Sequence, residues 1–149
     1  MANAVELLVK DHEKMKTLLG DLLKSDKSAS ERTELLGKVQ KELSVHTQIE
    51  EEIFYPAFAD EKSPASKKKM YHEAKEEHRA VEKLVIPDLN DTAPSTMEFM
   101  GRAKVLKELV EHHMEEEEEE MFKMAEETMT EDQLKELGQK MAARKKELQ

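Results

Sequence analysis

The chain has 149 residues, 39% of them charged, with a formal net charge of −10 at pH 7. That length accommodates one compact domain, and so acidic a balance argues against a nucleic-acid phosphate track, which needs a basic surface. Cysteine is absent, which excludes disulfides, thiolate zinc sites and cysteine nucleophiles; there is also no membrane-length apolar run and no signal-peptide pattern, so a soluble, cytoplasmic protein is expected.

Sparse aromatics and ten methionines suit a narrow, all-helical core filled by Met and Leu. The first helix is predicted from about Asn3 to Lys24, with Val5, Leu8, His12, Met15, Leu19 and Leu22 on one face in steps of three and four. The stretch Ser25 to Ser30 ends it. Ser28 and Glu31 stand at capping-box spacing and open a second helix reaching about Phe58, bent or ended by Pro56. Its stripe runs Leu36, Val39, Leu43, His46, Glu50, Ile53 and Ala57. Ser63 and Pro64 read as the N-cap and first residue of a third helix, which stops before Pro87 and carries Tyr71, Ala74, His78, Val81 and Val85. The fourth opens at Ser95, with Glu98 three residues on, and continues to about Glu127 through Phe99, Ala103, Leu106, Val110, His113, Glu117, Met121 and Met124. Thr130 with Gln133 starts a shorter amphipathic helix, Glu131 to Leu148, with Leu134, Leu137 and Met141 on one face. The connections are short, so an antiparallel up-down-up-down four-helix bundle is predicted over residues 1–128. Residues 129–149 are read as a helix docked on it or lying at a dimer surface.

Each of the four long stripes is interrupted by a histidine. Burying an imidazole or a carboxylate without a partner costs a few kcal/mol, so four such interruptions point to a common partner, and a bound metal is the simplest one. His12, His46, His78 and His113 each lie within about three residues of their helix midpoints, and antiparallel packing brings them to one layer. His46 with Glu50 and His113 with Glu117 are i, i+4 pairs that share a face. The candidate metal ligands are therefore His12, His46, Glu50, His78, His113 and Glu117. Imidazole plus carboxylate suits iron, manganese or zinc, and two glutamates able to span ions permit a dinuclear centre with open positions.

The run Glu115 to Glu120 turns through more than a full circle, so at least one member faces inward; periodicity selects Glu117, with Glu118 as the alternative. His112 is one position off its stripe, although it pairs in spacing with Glu116, and His72 reads as a surface residue. Tyr55, five residues after Glu50, is a secondary candidate to approach the metal as a phenolate or redox-active donor. No histidine has a glutamate three residues before it, which excludes the ferritin-type Glu-x-x-His pattern.

The residues Asp11-His12, the run from His46 and Glu50 to Tyr55-Pro56, Glu76-Glu77-His78, and His112-His113 leading through the glutamate run to Met121-Phe122 resemble the hemerythrin HHE cation-binding family. The tail from Leu134 to Leu148 is similar to that of actinobacterial, especially mycobacterial, hemerythrin-like proteins. The resemblance implies a four-helix bundle holding two iron ions with an oxo or hydroxo bridge, although zinc or manganese would accept the same donors. The longer spacing used by classical members keeps Glu118 open as a ligand. Oxygen carriers of the family have a second histidine one turn earlier on the third helix, where this chain has Ala74. That departure implies a more open iron pair that turns over hydrogen peroxide, in a catalase-like reaction, or another small oxidant. The alternative is non-catalytic binding, storage or sensing of iron, O2 or nitric oxide, by a monomer or homodimer.

Overall fold

A computed structural model describes residues 2–149, and among them every regular element is helical. Helix α1 spans Ala4–Leu22 behind an Asn3 cap that accepts the Glu6 N–H. Helix α2 is composite: α-helical over Ala29–Ile49 behind the Ser28/Glu31 capping box, π-helical over Glu50–Phe54, and α-helical again over Tyr55–Phe58. Helix α3 repeats the pattern with Ala65–Ala80, a π-turn at Val81–Val85 and Ile86–Asn90. Helix α4 does so with Met97–Glu116, a π-turn at Glu117–Met121 and Phe122–Thr128. Helix α5, Glu131–Leu148, starts at the Thr130/Gln133 capping box. No helix is long and apolar enough to cross a membrane, among the described residues.

Three boundaries differ from the sequence reading. Pro64 itself occupies the N-cap position of α3, because the Ser63 hydroxyl is engaged by the Asp60 N–H at 2.9 Å. Thr96, not Ser95, caps α4, accepting the Phe99 N–H at 3.1 Å. Helix α3 also runs through Pro87 to Asn90. A proline cannot donate to the carbonyl one turn back and crowds it. Pro87 follows the wide turn in which the Ile86 N–H reaches the Val81 carbonyl, and Pro56 stands in the same place after the turn joining Tyr55 to Glu50.

Each π-turn closes over five residues instead of four, so the helix beyond it is displaced by one position. Past Glu50, the predicted Ile53 and Ala57 give way to buried Phe54, Tyr55 and Phe58, with Ala57 exposed. Past Glu117, Phe122 and Ala125 are buried with Met121, while Met124 is only partly covered. The core then lies in two apolar parts. One holds Leu8, Phe54, Phe58 and Phe122, extended by Leu134 and Met141 of α5. The other holds Leu19, Leu22, Val39, Leu89, Phe99 and Leu106. Helix α5 rests on α1 closely enough that a Cβ at Gly138 would meet the Ala2 carbonyl oxygen at 2.5 Å, so only glycine fits there.

Candidate metal centre

Between the two apolar parts lies a polar layer to which all four bundle helices contribute. His12, His46, Glu50 and Glu117 each place one ligand atom within 4.8 Å of the others, and Glu50, His78 and His113 form a second such group. All six are buried, and the two groups share Glu50. Glu50 Oε1 stands 3.3 Å from His46 Nε2 and 3.1 Å from His78 Nε2; Glu117 Oε1 stands 3.2 Å from His12 Nε2 and 3.4 Å from His113 Nε2. Several of these approaches are close in distance without forming an aligned hydrogen bond. His12 Nε2, His46 Nε2, Glu50 Oε2 and Glu117 Oε1 are all buried with no hydrogen-bond partner. Native interiors pair most such atoms and leave the exceptions scattered, so four around one point call for a cation.

The outer edge of each imidazole is held by a carboxylate, in a closed ring. Asp11 of α1 takes His46 Nδ1 of α2 at 3.1 Å, and Glu51 of α2 takes His78 Nδ1 of α3 at 2.8 Å. Glu77 of α3 takes His113 Nδ1 of α4 at 2.8 Å, and Glu118 of α4 takes His12 Nδ1 of α1 at 3.0 Å. A carboxylate accepts, so each Nδ1 carries the hydrogen and, in the neutral ring, each Nε2 turns a lone pair inward. His78 Nε2 and His113 Nε2 then face each other at 3.1 Å. The centre is thus almost entirely acceptors, the arrangement by which proteins orient imidazoles toward metals. The one donor is the Tyr55 hydroxyl, which gives its hydrogen to Glu117 Oε2 at 2.6 Å and lies 3.2 Å from Glu50 Oε1.

Without an ion, protons must offset the charge in this layer. Burial disfavours a charged His46, but the Glu50 carboxylate and the Asp11 hydrogen bond outweigh it and raise its pKa well above the ordinary imidazole value. Burial is likewise overcome at His78, raised to about 10 by Glu50 and Glu51, and at His113, raised by Glu117 and Glu77. Burial opposes ionisation of Glu50 as well, yet His46 holds its carboxyl well below the usual range. Glu117 is pushed up by burial and by Glu50, and burial with both carboxylates keeps the Tyr55 phenol protonated.

A family model of the hemerythrin HHE cation-binding domain matches residues 3–125. The chain belongs to the hemerythrin HHE cation-binding family. The HHE domain is similar to a solved HHE cation-binding domain-containing protein, the Rv2633c homolog from Mycobacterium kansasii. The TM-score is 0.86 at 31% identity, over 99% of this chain and 88% of that one. It is also 25% identical over 147 residues to a protein named DNA nickase from Nostoc sp. (strain PCC 7120 / SAG 25.82 / UTEX 2576). That match takes in 99% of this chain but 40% of the nickase, and the nicking activity is stated of that longer protein.

Of the residues singled out in the sequence, the HHE domain brings His12, His46, Glu50, His78, His113 and Glu117 together, with Tyr55 beside them. Glu118 faces the outer nitrogen of His12, not the inner cluster. His112 is exposed and pairs with Glu116 at 2.9 Å on the surface, and His72 is also exposed. The sequence reading did not single out Asp11, Glu51 and Glu77 as imidazole partners. Their signal is adjacency: each is next in sequence to an inner residue, yet serves the histidine of the following helix. A cavity of about 40 Å³ lies against His12, His46, His78 and His113, with Met15, Leu43, Val81 and Val110 among its apolar walls. A second, of about 20 Å³, lies where Ala74 faces His113 and Glu117.

Proposed function

We propose that this chain is a non-haem di-iron protein that reacts with hydrogen peroxide or another small oxidant, its ions held by His12, His46, Glu50, His78, His113 and Glu117. The observation that carries the reading is the buried layer of acceptors in two overlapping groups, with Glu50 common to both. One carboxylate belonging to two donor sets suits a pair of ions better than a single one, because a carboxylate has an oxygen for each. Zinc or manganese would accept the same donors; the family resemblance supports iron.

When bound, an iron pair supplies two one-electron couples, enough to reduce one hydrogen peroxide to two waters and to oxidise a second to O2. The chain's own residues set the conditions for this. The carboxylate ring fixes all four imidazoles, so little rearrangement is needed on binding. The cavity of about 40 Å³ beside the imidazoles has room for a molecule the size of peroxide or O2. Its apolar walls limit bulk water, and Ala74 leaves α3 with one imidazole at the centre, favouring an open position. The Tyr55 hydroxyl donates to Glu117 Oε2 at 2.6 Å and fixes the orientation of that carboxylate. We assign the metal-holding unit to residues 1–128, with 129–149 as its docked support.

The test is metal content per chain with the ultraviolet-visible spectrum, followed by oxygen release from peroxide. Sustained release by the iron-loaded protein, lost in His46→Ala, is expected. A fully loaded protein that leaves peroxide unchanged refutes turnover; a stable coloured adduct with O2 or nitric oxide in its place establishes the sensing or carrying alternative.

A further inference from the structure

The ring of carboxylate and histidine pairs has one member unlike the rest. Glu118, Glu51 and Glu77 each have about a third of the side chain in solvent, 31% in every case, and none forms an ion pair with a lysine or arginine among the described residues. Asp11 is 8% exposed, and its second oxygen, Oδ1, accepts from the Lys145 ammonium of α5. Lys145 lies beyond the stretch matched by the family model. Its neighbour Arg144 pairs with Glu52 through two hydrogen bonds, at 2.8 and 3.2 Å, without touching any of the four ring carboxylates. One lysine of the terminal helix is therefore linked, through a single buried carboxylate, to the outer nitrogen of His46.

We propose that Lys145 is a positioning residue that sets the donor strength of His46, making the part of the centre held by His46 electronically distinct from the part held by His78 and His113. A carboxylate that accepts an imidazole N–H draws the hydrogen toward itself and makes the opposite nitrogen a stronger donor. A cation on the same carboxylate withdraws that density and weakens the pull. Because Asp11 is the most buried carboxylate of the ring, the effect is least screened there. Helix α5 then acts on the centre as well as covering the bundle. The inference rests on the proposed iron centre for its redox readout and on the metal-free protein for its second readout.

The experiment compares the full chain with Lys145→Met, Lys145→Arg and Arg144→Met. In the iron-loaded proteins, a spectroelectrochemical titration is expected to show a lower reduction potential for Lys145→Met, because the stronger imidazole donor and the lost positive charge both favour the ferric state. Lys145→Arg should restore the wild-type potential, and Arg144→Met should leave it unchanged. In the metal-free proteins, the His46 Nδ1–H proton resonance should move to lower field in Lys145→Met and return in Lys145→Arg. An unmoved resonance in Lys145→Met overturns the proposal, as does an equal shift in Arg144→Met, which would reduce the effect to undocking of α5. Should no protein bind iron, the reading of the centre fails, while the proton resonance still decides the role of Lys145.

Discussion

Adding a divalent metal to the metal-free protein should raise its thermal midpoint substantially. Four buried ligand atoms have no aligned hydrogen-bond partner, and an ion that takes its place among them displaces the protons that offset the charge of this layer. An ion that binds only the folded state at 100 to 1,000 times its dissociation constant returns about 2.7 to 4.1 kcal/mol by mass action. For a chain of 149 residues, at about 2–4 °C per kcal/mol, this corresponds to a rise of roughly 5–16 °C. The assay is a thermal melt of chelator-stripped protein, with and without iron(II) under anaerobic conditions, repeated with zinc(II) as a redox-inert control. Glu50→Ala removes the acceptor common to both donor groups and should lose most of the rise. A wild-type midpoint that does not move, in protein shown by elemental analysis to take up no metal, would falsify the account of the acceptor layer.

The two neighbouring glutamates of α4 should separate by role. Glu117→Ala is expected to abolish metal uptake at the His12 group, whereas Glu118→Gln should keep the stoichiometry and weaken affinity by about 10- to 100-fold in a chelator competition. Tyr55→Phe should leave metal uptake intact but destabilise the metal-free protein by about 1–3 kcal/mol in denaturant melts, since Glu117 Oε2 loses its 2.6 Å donor. Metal binding should release protons, because His46, His78 and His113 have raised pKa values in the ion-free protein; calorimetry in buffers of different ionisation enthalpy measures the count, and affinity should fall as pH falls. The ion-free protein has the opposite dependence. Imidazoles raised by folding stabilise it fully below about 6.5, their unfolded value, and that stabilisation is lost as pH rises, with the His78 share going near 10.

The inner layer was legible because a polar residue on an apolar stripe is visible in one dimension. His12, His46, His78 and His113 declare themselves by periodicity, and the same rhythm separates Glu117 from its five acidic neighbours. Beyond the buried cluster that rhythm fails. A π-turn adds a residue without any mark in composition, so Ile53, Ala57 and Met124 read as core where Phe54, Phe58 and Ala125 are. Pro56 and Pro87 mark two of the three turns, but a proline in a helical pattern reads first as a stop. The outer ring was hidden for another reason. Asp11 and Glu77 precede histidines they do not serve, and which imidazole each meets depends on how neighbouring helices align.

The polar layer also divides the folding problem. The aromatic cluster around Phe54 and Phe122 and the aliphatic cluster around Leu19 and Leu106 lie on either side of it. Side chains that interdigitate transmit stability from one end of a bundle to the other, whereas a polar layer held by a few imidazole–carboxylate pairs transmits less. Between the halves, cooperativity therefore passes through four helix backbones and whatever sits among Glu50, Glu117 and the imidazoles. An ion bound by residues from all four helices would act there as a cross-link that joins two half-domains into one cooperative unit. The same donors would make a bound ion a determinant of whether the bundle folds and unfolds as a whole.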